Sequence, residues 1–302
     1  MRLATIDLGT NTFHLLVAEV AGGRLRREVY RERRYVRLGE GFSGADAGAR
    51  VISEAARRRG LEALRQFRAV TDRLDVKDVR VVGTAALRTA ANAAGFVAAV
   101  REQTGFTVRI ISGEREAELI ARGVLTALPA LQQTALIMDI GGGSTEFILV
   151  DPGGVRWQRS FAVGLIPLSG QLDATAAPRP AELAGLRAHL RRTLAPLAEV
   201  LQRFPNPTLV GAAGTFELFT GPTEAVCQPV ATAEVDRWVN AVLPLSLAER
   251  LAHPAIPDER APLVTTALVL IDEVIRLARP SGILVTRYAL KEGVLLADWP
   301  PE

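Results

Sequence analysis

The segment Asp139–Glu146 reads Asp-Ile-Gly-Gly-Gly-Ser-Thr-Glu, with three glycines and two hydroxyl residues between two carboxylates. Glycines without a Cβ let backbone N–H groups converge on an anion, and Ser144 and Thr145 add hydroxyl donors. The carboxylates of Asp139 and Glu146 are the oxygen ligands that Mg²⁺ takes together with water and substrate phosphates. The segment is therefore a candidate phosphate and metal loop, although a glycine-rich structural turn would use the same glycines.

A second copy of this pattern lies near the start of the chain, where Asp7–Thr12 reads Asp-Leu-Gly-Thr-Asn-Thr. In both copies an apolar strand, a glycine turn with hydroxyl residues and a second apolar strand predict a β-hairpin. A structural turn has no need of Asp, Gly and hydroxyl residues in both copies, so the repeat favours phosphate binding. The residues predicted to bind phosphate from the two loops are Thr10, Asn11, Thr12, Gly141, Gly142, Gly143, Ser144 and Thr145.

The offset of 132 residues between the two copies is the size of a domain rather than of a solenoid repeat. In the sequence between the two copies and after the second, strand patterns alternate with helix patterns, which favours an α/β protein. We therefore predict two similar α/β domains, residues 1–124 and residues 125–302, with an interdomain cleft. The first domain carries the first phosphate loop, and the second domain carries the second.

The periodicity of apolar residues predicts helices over residues 54–74, 92–103, 114–128, 179–203 and 261–278. Residues 79–88 are predicted as a strand followed by a loop, and Pro196 is predicted to kink the fourth helix. Further strands are predicted within residues 106–112, 207–219 and 282–290. The two domains are predicted to be joined through the helix near residues 124–128.

Composition narrows the class of protein. Cys227 is the only cysteine, which excludes internal disulfides and thiolate metal clusters, and the three histidines are scattered. No apolar run approaches the roughly 18 to 20 residues of a membrane span, and Asp7 interrupts the apolar start of the chain where a signal peptide would need continuity. These features predict a cytoplasmic protein with neither a membrane nor a nucleic acid as its partner.

The charge is unevenly distributed along the chain. Residues 1–124 hold 22 Lys and Arg against 15 Asp and Glu, a balance of +7, whereas residues 125–302 hold 14 against 18, a balance of −4. A basic first half suits an anionic ligand, although arginine-rich helices whose charges are simply solvated would give the same balance.

Four further motifs occur in order along the chain. They are Gly-Thr-Ala-Ala-Leu-Arg-Thr-Ala-Ala-Asn at 83–92, Ile-Ser-Gly-Glu-Arg-Glu-Ala at 111–117, Val-Gly-Ala-Ala-Gly-Thr at 210–215 and Ala-Leu-Lys-Glu-Gly-Val-Leu at 289–295. Together with the two loops, they make essentially the whole chain resemble the exopolyphosphatase / guanosine pentaphosphate phosphohydrolase family. That resemblance implies the actin-like (ribonuclease H-like) fold in both domains.

The resemblance also implies roles for individual residues. Glu116 is the general base expected to accept a proton from the attacking water, and Arg88 is expected to contact phosphate. Glu114 and Glu118 lie nearby, and the residues alone do not choose among the three glutamates. The cofactor implied is Mg²⁺ or another divalent cation, held by Asp139 and Glu146.

The activity implied is hydrolytic release of terminal orthophosphate from inorganic polyphosphate, with guanosine pentaphosphate as the alternative substrate and a homodimer as the expected assembly. Two departures from the family pattern favour a weakly active polyphosphate- or (p)ppGpp-binding regulatory protein as an alternative. Pro167 stands where the family has arginine, and Lys291 replaces another arginine. A kinase using residues 211–215 to contact adenosine is the third hypothesis, but no aspartate base for it is evident.

Overall fold

The structure is a computed structural model that describes residues 1–42, 50–212, 214–221 and 225–299. The chain divides into two compact units. The first unit comprises Met1–Thr126, Gly141–Gly143 and Tyr288–Glu302, and the second comprises Ala127–Ile140 and Ser144–Arg287.

The first unit is built on a mixed sheet of five strands among the described residues, in the order β3-β2-β1-β4-β5. β1 pairs antiparallel with β2 and parallel with β4, so the hairpin edge and the parallel strands meet at β1. Most residues of β1 and β2 are buried, because both faces of the sheet are covered there. The strands are β1 (Arg2–Leu8), β2 (Phe13–Ala21), β3 (Arg24–Arg34), β4 (Asp78–Gly83) and β5 (Val108–Ile110).

Two helices of the first unit begin at serine residues that cap them. The side-chain oxygens of Ser53 and Ser112 accept the N–H groups of Ala56 and Arg115 at the starts of the two longest helices. The helices of this unit are α1 (Glu54–Arg73), α2 (Ala85–Thr89), α3 (Ala93–Thr104), α4 (Gly113–Leu125) and α11 (Leu290–Leu296).

The second unit is built on a mixed sheet whose strands follow the order β10-β11-β9-β6-β7-β8. Its strands are β6 (Ala135–Ile140), β7 (Thr145–Asp151), β8 (Gly154–Phe161), β9 (Thr208–Ala212), β10 (Cys227–Val230) and β11 (Gly282–Thr286). Its helices are α5 (Leu165–Ser169), α6 (Pro180–Thr193), α7 (Ala195–Arg203), α8 (Thr232–Val242), α9 (Leu247–Leu251) and α10 (Val264–Ala278), with a 3-10 turn at Phe216–Phe219. The buried residues of α10 and of the central strands form its core.

The two sheets repeat one topology. Each starts with a three-stranded antiparallel meander, and a parallel strand then joins the first strand of the meander on its other side. Asp7 pairs directly with His14 in the first hairpin, and Asp139 pairs directly with Glu146 in the second. The internal repeat and both hairpins predicted from the sequence are therefore present at matching positions. β10 adds an antiparallel edge strand to the second sheet.

The end of the chain packs in the first unit, although the sequence-based division places it with the second half. Leu295 of α11 is buried with Leu3 and Leu16 of the first sheet. The Arg80 guanidinium donates to the carbonyls of Val294 (2.8 Å), Leu295 (3.1 Å) and Ala297 (3.0 Å), which satisfies groups that the end of α11 leaves without helical partners. These long-range contacts have no counterpart in local sequence pattern.

Several predicted elements differ in detail. The segment after β4, predicted as a loop, forms the short helix α2. The helix predicted over 179–203 is interrupted between α6 and α7, because Pro196 stands in the first turn of α7, where its missing N–H costs nothing.

None of the helices in the described ranges is long and apolar enough to cross a membrane.

Candidate active site

The turn after β1 is held in a fixed shape by backbone hydrogen bonds. The Gly9 N–H donates to the carbonyl of Thr12 at 3.1 Å, and the carbonyls of Asn11 and Thr10 accept the N–H groups of Arg37 and Gly39, each at 2.8 Å. The hydroxyl of Thr10 is buried and has no hydrogen-bond partner within the described part of the chain. This predicted phosphate loop therefore holds a polar atom for which the fold itself supplies no partner.

The turn Gly141–Gly143 lies directly against that first loop. A Cβ on Gly142 would lie 3.0 Å from the Asn11 nitrogen, and one on Gly143 would lie 2.5 Å from the Thr10 hydroxyl and 2.7 Å from the Ala85 Cβ. A side chain at position 143 would clash with the side chains of Thr10 and Ala85, and one at position 142 would press against Asn11, so glycine suits this close approach. The first predicted phosphate loop and the glycines of the second thus lie together within the first unit.

The helix α2 connects these loops to the predicted base. Its N-cap residue Thr84 donates its backbone N–H (3.3 Å) and its hydroxyl (3.4 Å) to the carbonyl of Leu8 at the end of β1. One turn later, Arg88 Nη1 lies 2.5 Å from Glu116 Oε2 and 3.1 Å from the carbonyl of Ile111. Arg88 and Glu116 therefore form one ion pair, in which the Arg88 side chain is half-buried (19% exposed) and that of Glu116 is more deeply enclosed (9% exposed).

The three glutamates of α4 differ sharply in their surroundings. Glu116 is buried, whereas Glu114 and Glu118 are exposed. Hydrogen bonds from its own backbone N–H and from Ser112 lower the pKa of Glu114. Glu118 is paired with Arg115 at 2.6 Å. Of the three, Glu116 alone has the enclosed environment expected of a general base.

Burial raises the pKa of Glu116 above the usual glutamate range, and the charge and hydrogen bond of Arg88 oppose that rise. A carboxylate with a raised pKa accepts a proton more readily at neutral pH than an ordinary surface carboxylate does. Arg88 also fixes the orientation of the Glu116 carboxylate. The sequence predicted Arg88 as a phosphate contact, and the structure adds this pairing with the predicted base.

Asp7 was not among the residues predicted to act, yet its environment is unusual. Its Oδ1 atom is buried without a hydrogen-bond partner in the described structure. Burial raises the pKa of Asp7 to about 7, the charge of Lys291 lowers it, and the charges of Glu116 and Glu292 add to the rise. In the sequence, the only feature that singled out Asp7 was its position in the internal repeat. The fold then brings Asp7 near Glu116 and Lys291.

The predicted metal ligands of the second unit are direct neighbours across the β6–β7 hairpin. Side chains of residues directly opposite each other lie on the same face of a sheet, so the Asp139 and Glu146 carboxylates point to one side. Glu146 is buried and its Oε1 accepts a hydrogen bond from Ser160 at 2.7 Å. Within the described ranges, no group of three or more His, Cys, Asp or Glu side chains is placed to hold a metal ion. Two carboxylates fit Mg²⁺, which draws its other ligands from water and substrate phosphates.

The hydroxyl residues after the glycine turn are less alike than their sequence suggests. Both Ser144 and Thr145 are buried. The Thr145 hydroxyl donates to the carbonyl of Val163 at 2.8 Å, so this side chain ties β7 to the segment before α5. The participation of Ser144 and Thr145 in phosphate binding stays a prediction.

The remaining motif residues serve the scaffold or lie outside the described ranges. The Asn92 side-chain amide exchanges two hydrogen bonds of 2.9 Å with the backbone of Ile52. The Thr215 hydroxyl lies 3.4 Å from the carbonyl of Ile140, and Ala213 of the same motif falls outside the described residues. Pro167 stands inside α5, where the family pattern has a cation.

The two mixed sheets, each led by an Asp-x-Gly hairpin, define an actin-like α/β protein. The Ppx/GppA phosphatase family matches the chain over residues 16–302, and the chain belongs to this family. The family and the fold inferred from the sequence motifs are thereby confirmed. Members of this family are phosphoanhydride hydrolases and are typically metal-dependent.

Solved structures of the same fold agree with this assignment. An exopolyphosphatase from Cytophaga hutchinsonii is 32% identical, with 98% of this chain and 96% of that chain covered and a TM-score of 0.90. The PPX-GPPA enzyme of Aquifex aeolicus is 23% identical, with 99% of each chain covered and a TM-score of 0.80. A third structure, of an exopolyphosphatase-like protein, is 22% identical over 98% of this chain and 96% of that chain, with a TM-score of 0.85. The last two likenesses concern the fold alone.

Proposed function

We propose that this protein is a Mg²⁺-dependent exopolyphosphatase, which releases terminal orthophosphate from inorganic polyphosphate by hydrolysis. The observation that carries the proposal is the convergence, within the first unit, of the Thr10 loop, the Gly141–Gly143 turn and the Arg88–Glu116 pair. A phosphate-binding turn and an enclosed base are the two parts that hydrolysis of a phosphoanhydride requires. The exopolyphosphatase similar to this chain supports polyphosphate as the substrate.

In this proposal Glu116 accepts a proton from water as the water oxygen forms a bond to the terminal phosphorus. The bond between that phosphorus and the bridging oxygen breaks, and the electron pair leaves with the shortened polyphosphate. Arg88 holds the Glu116 carboxylate in place throughout. Backbone N–H groups of the glycine turn and the Thr10 hydroxyl stabilise the negative charge that develops on the phosphoryl oxygens.

Asp139 and Glu146 would hold the divalent cation, with Ser160 fixing the Glu146 carboxylate. When bound, Mg²⁺ would neutralise charge on the phosphate oxygens. Asp7 and Lys291 belong to the same unit as the base and bear opposite charges when both are ionised.

The test is phosphate release from polyphosphate and, separately, from guanosine pentaphosphate, in Mg²⁺ and in chelator. We expect Glu116→Gln to lower the rate by about 100-fold or more, because an amide cannot accept the proton. Glu118→Gln is the matched control: it makes the same change two residues away at an exposed position and should keep the activity of the unmodified protein.

Equal rates for the two variants would show that Glu116 is not the base. Release from guanosine pentaphosphate alone would reassign the substrate, and binding of either compound without turnover would favour the regulatory alternative. Transfer of phosphate from ATP to an added alcohol, without hydrolysis of polyphosphate, would favour the kinase.

A further inference from the structure

Lys291 is one of only two lysines in the chain and lies in the first turn of α11. The residue is 5% exposed, so its aliphatic stem is enclosed by the first unit. Burying an ammonium group without a partner is costly, and most buried cations are therefore paired with a carboxylate. The surroundings of Lys291 do not follow that rule.

The neighbouring carboxylate, Glu292, is already engaged. Its Oε1 atom accepts a hydrogen bond from Arg31 at 2.7 Å, and its Oε2 atom accepts the N–H of Ala289 at 2.8 Å. Across the described ranges the ammonium of Lys291 has neither a hydrogen bond nor an ion pair. The ammonium keeps some contact with solvent, because it is not one of the described polar atoms that are both fully buried and without a partner.

Asp7 is a first-unit carboxylate on which the charge of Lys291 acts. Because the pKa of Asp7 is raised to about 7, mainly by burial, Asp7 carries only part of a negative charge at neutral pH and does not fully compensate the lysine. The Asp7 Oδ1 atom near the end of β1 and the Thr10 hydroxyl in the following turn are both buried and have no hydrogen-bond partner among the described residues. An uncompensated cation and unsatisfied polar atoms thus belong to one region of the first unit.

We propose that Lys291 binds a phosphate group of the substrate through its ammonium, alongside the Thr10 loop. An anion supplies the charge and the acceptor oxygens that the described residues do not give Lys291. Lysine binds phosphate as a point charge, without the bidentate geometry of arginine. The inference rests on the proposed function for its substrate class, namely inorganic phosphoanhydrides. It assigns a role to the one cation of the closing motif, where the family pattern has arginine.

The experiment measures tripolyphosphate binding by calorimetry in a Glu116→Gln background, so that no hydrolysis is needed. We expect Lys291→Met to weaken binding by about tenfold or more, because it removes a charge-assisted hydrogen bond. Lys291→Arg should restore affinity to within about threefold, since the charge is what matters. Lys77→Met is the control: it removes the only other lysine, which is exposed and paired with Asp75, and should leave affinity unchanged.

Equal affinity in Lys291→Met and its parent would overturn the inference while leaving the proposed function intact. A parent that binds no tripolyphosphate at all would overturn both. Thermal unfolding of each variant shows whether it is folded, and Lys291→Gln, which keeps a polar tip, replaces Lys291→Met if the latter is not. Weak binding by both Lys291→Gln and Lys291→Arg would show that the site needs the lysine shape rather than the charge, which also contradicts the proposal.

Discussion

At the scale of single residues, burial separates chemically identical side chains. Glu114, Glu116 and Glu118 share one helix and one side-chain type, yet only Glu116 is enclosed and paired with Arg88. The sequence left these three residues as candidates for the general base, and the family resemblance favoured Glu116. The physical difference among them arises from α2, which comes from a distant part of the chain and could not be read from the helix itself.

Asp7 gives a prediction about stability and pH. Its pKa is about 7 in the folded protein against an ordinary value near 4, so the folded state keeps a proton that the unfolded chain has lost between these pH values. Stability should therefore fall as pH rises from about 4.5 to about 8, by at most about 3 kcal/mol from this group. Asp7→Asn removes the titration. We expect its free energy of unfolding, relative to that of the unmodified protein, to increase over the same range.

Urea unfolding at the two pH values checks this expectation. Asp75→Asn is the matched control, because Asp75 is exposed and its pKa is lowered by the hydrogen bond and charge of Lys77. A group with a lowered pKa contributes stability above its ordinary value, so the control variant should not gain stability as pH rises. If Asp7→Asn showed the same pH dependence as the unmodified protein, Asp7 would be an ordinary ionised carboxylate.

At the scale of helices and strands, the close contact of α4 with α11 is the most demanding piece of packing. A Cβ on Gly293 would lie 1.7 Å from the Leu119 carbonyl oxygen, and one on Gly123 would lie 2.1 Å from that of Ala289. The helix carrying Glu116 and the helix carrying Lys291 thus touch backbone to backbone. A side chain at either glycine would have to push the two helices apart.

We expect Gly293→Ala to destabilise the protein by about 3 kcal/mol, since backbone atoms cannot yield as a flexible side chain can. Gly95→Ala is the matched control: this glycine lies inside α3 and a Cβ there meets nothing within 4 Å. The control should be neutral or stabilise by about 0.5–1 kcal/mol through helix propensity. Chemical unfolding of both variants measures the difference, and similar effects from the two alanines would contradict the contact.

The sequence predicted elements where local pattern is strong. Both glycine hairpins and the helices α1, α3, α4 and α10 were predicted to within a few residues, because strand alternation, turn glycines and caps are local signals. The strand β3 was missed, since its arginines and glutamates give no apolar alternation, and β2 fixes it by pairing. The place of α11 in the first unit depends on Leu295 and Arg80, which are far apart in the chain.

At the scale of the whole molecule, the repeat explains why the second loop could be interpreted through the first. Each sheet begins with the same meander, so an Asp occupies the same register position in both, opposite His14 in one and Glu146 in the other. The paired carboxylates that suit a metal therefore occur in only one of the two copies among the described residues. The two hairpins share a scaffold and differ in the residue opposite the Asp.

The uneven charge gives a prediction about ionic strength. β3 and the residues after it carry exposed arginines, among them Arg24, Arg26 and Arg33. Exposed charges attract a long polyanion over distances that salt screens, with a Debye length of about 10 Å at 0.1 M. Raising NaCl from about 50 to about 200 mM should therefore raise KM for long polyphosphate by about tenfold and change kcat little.

Steady-state kinetics with long-chain polyphosphate and with tripolyphosphate, at both salt concentrations, measures this effect. Tripolyphosphate, being short, should show a smaller rise in KM because it cannot reach arginines outside the site. Arg24→Gln combined with Arg26→Gln should flatten the salt dependence for the long substrate. Arg237→Gln, which removes an exposed arginine from α8 of the second unit, should not. If KM for both substrates rose equally, or if the β3 variant behaved like its control, the basic strand would be a solvated surface with no part in drawing in polyphosphate.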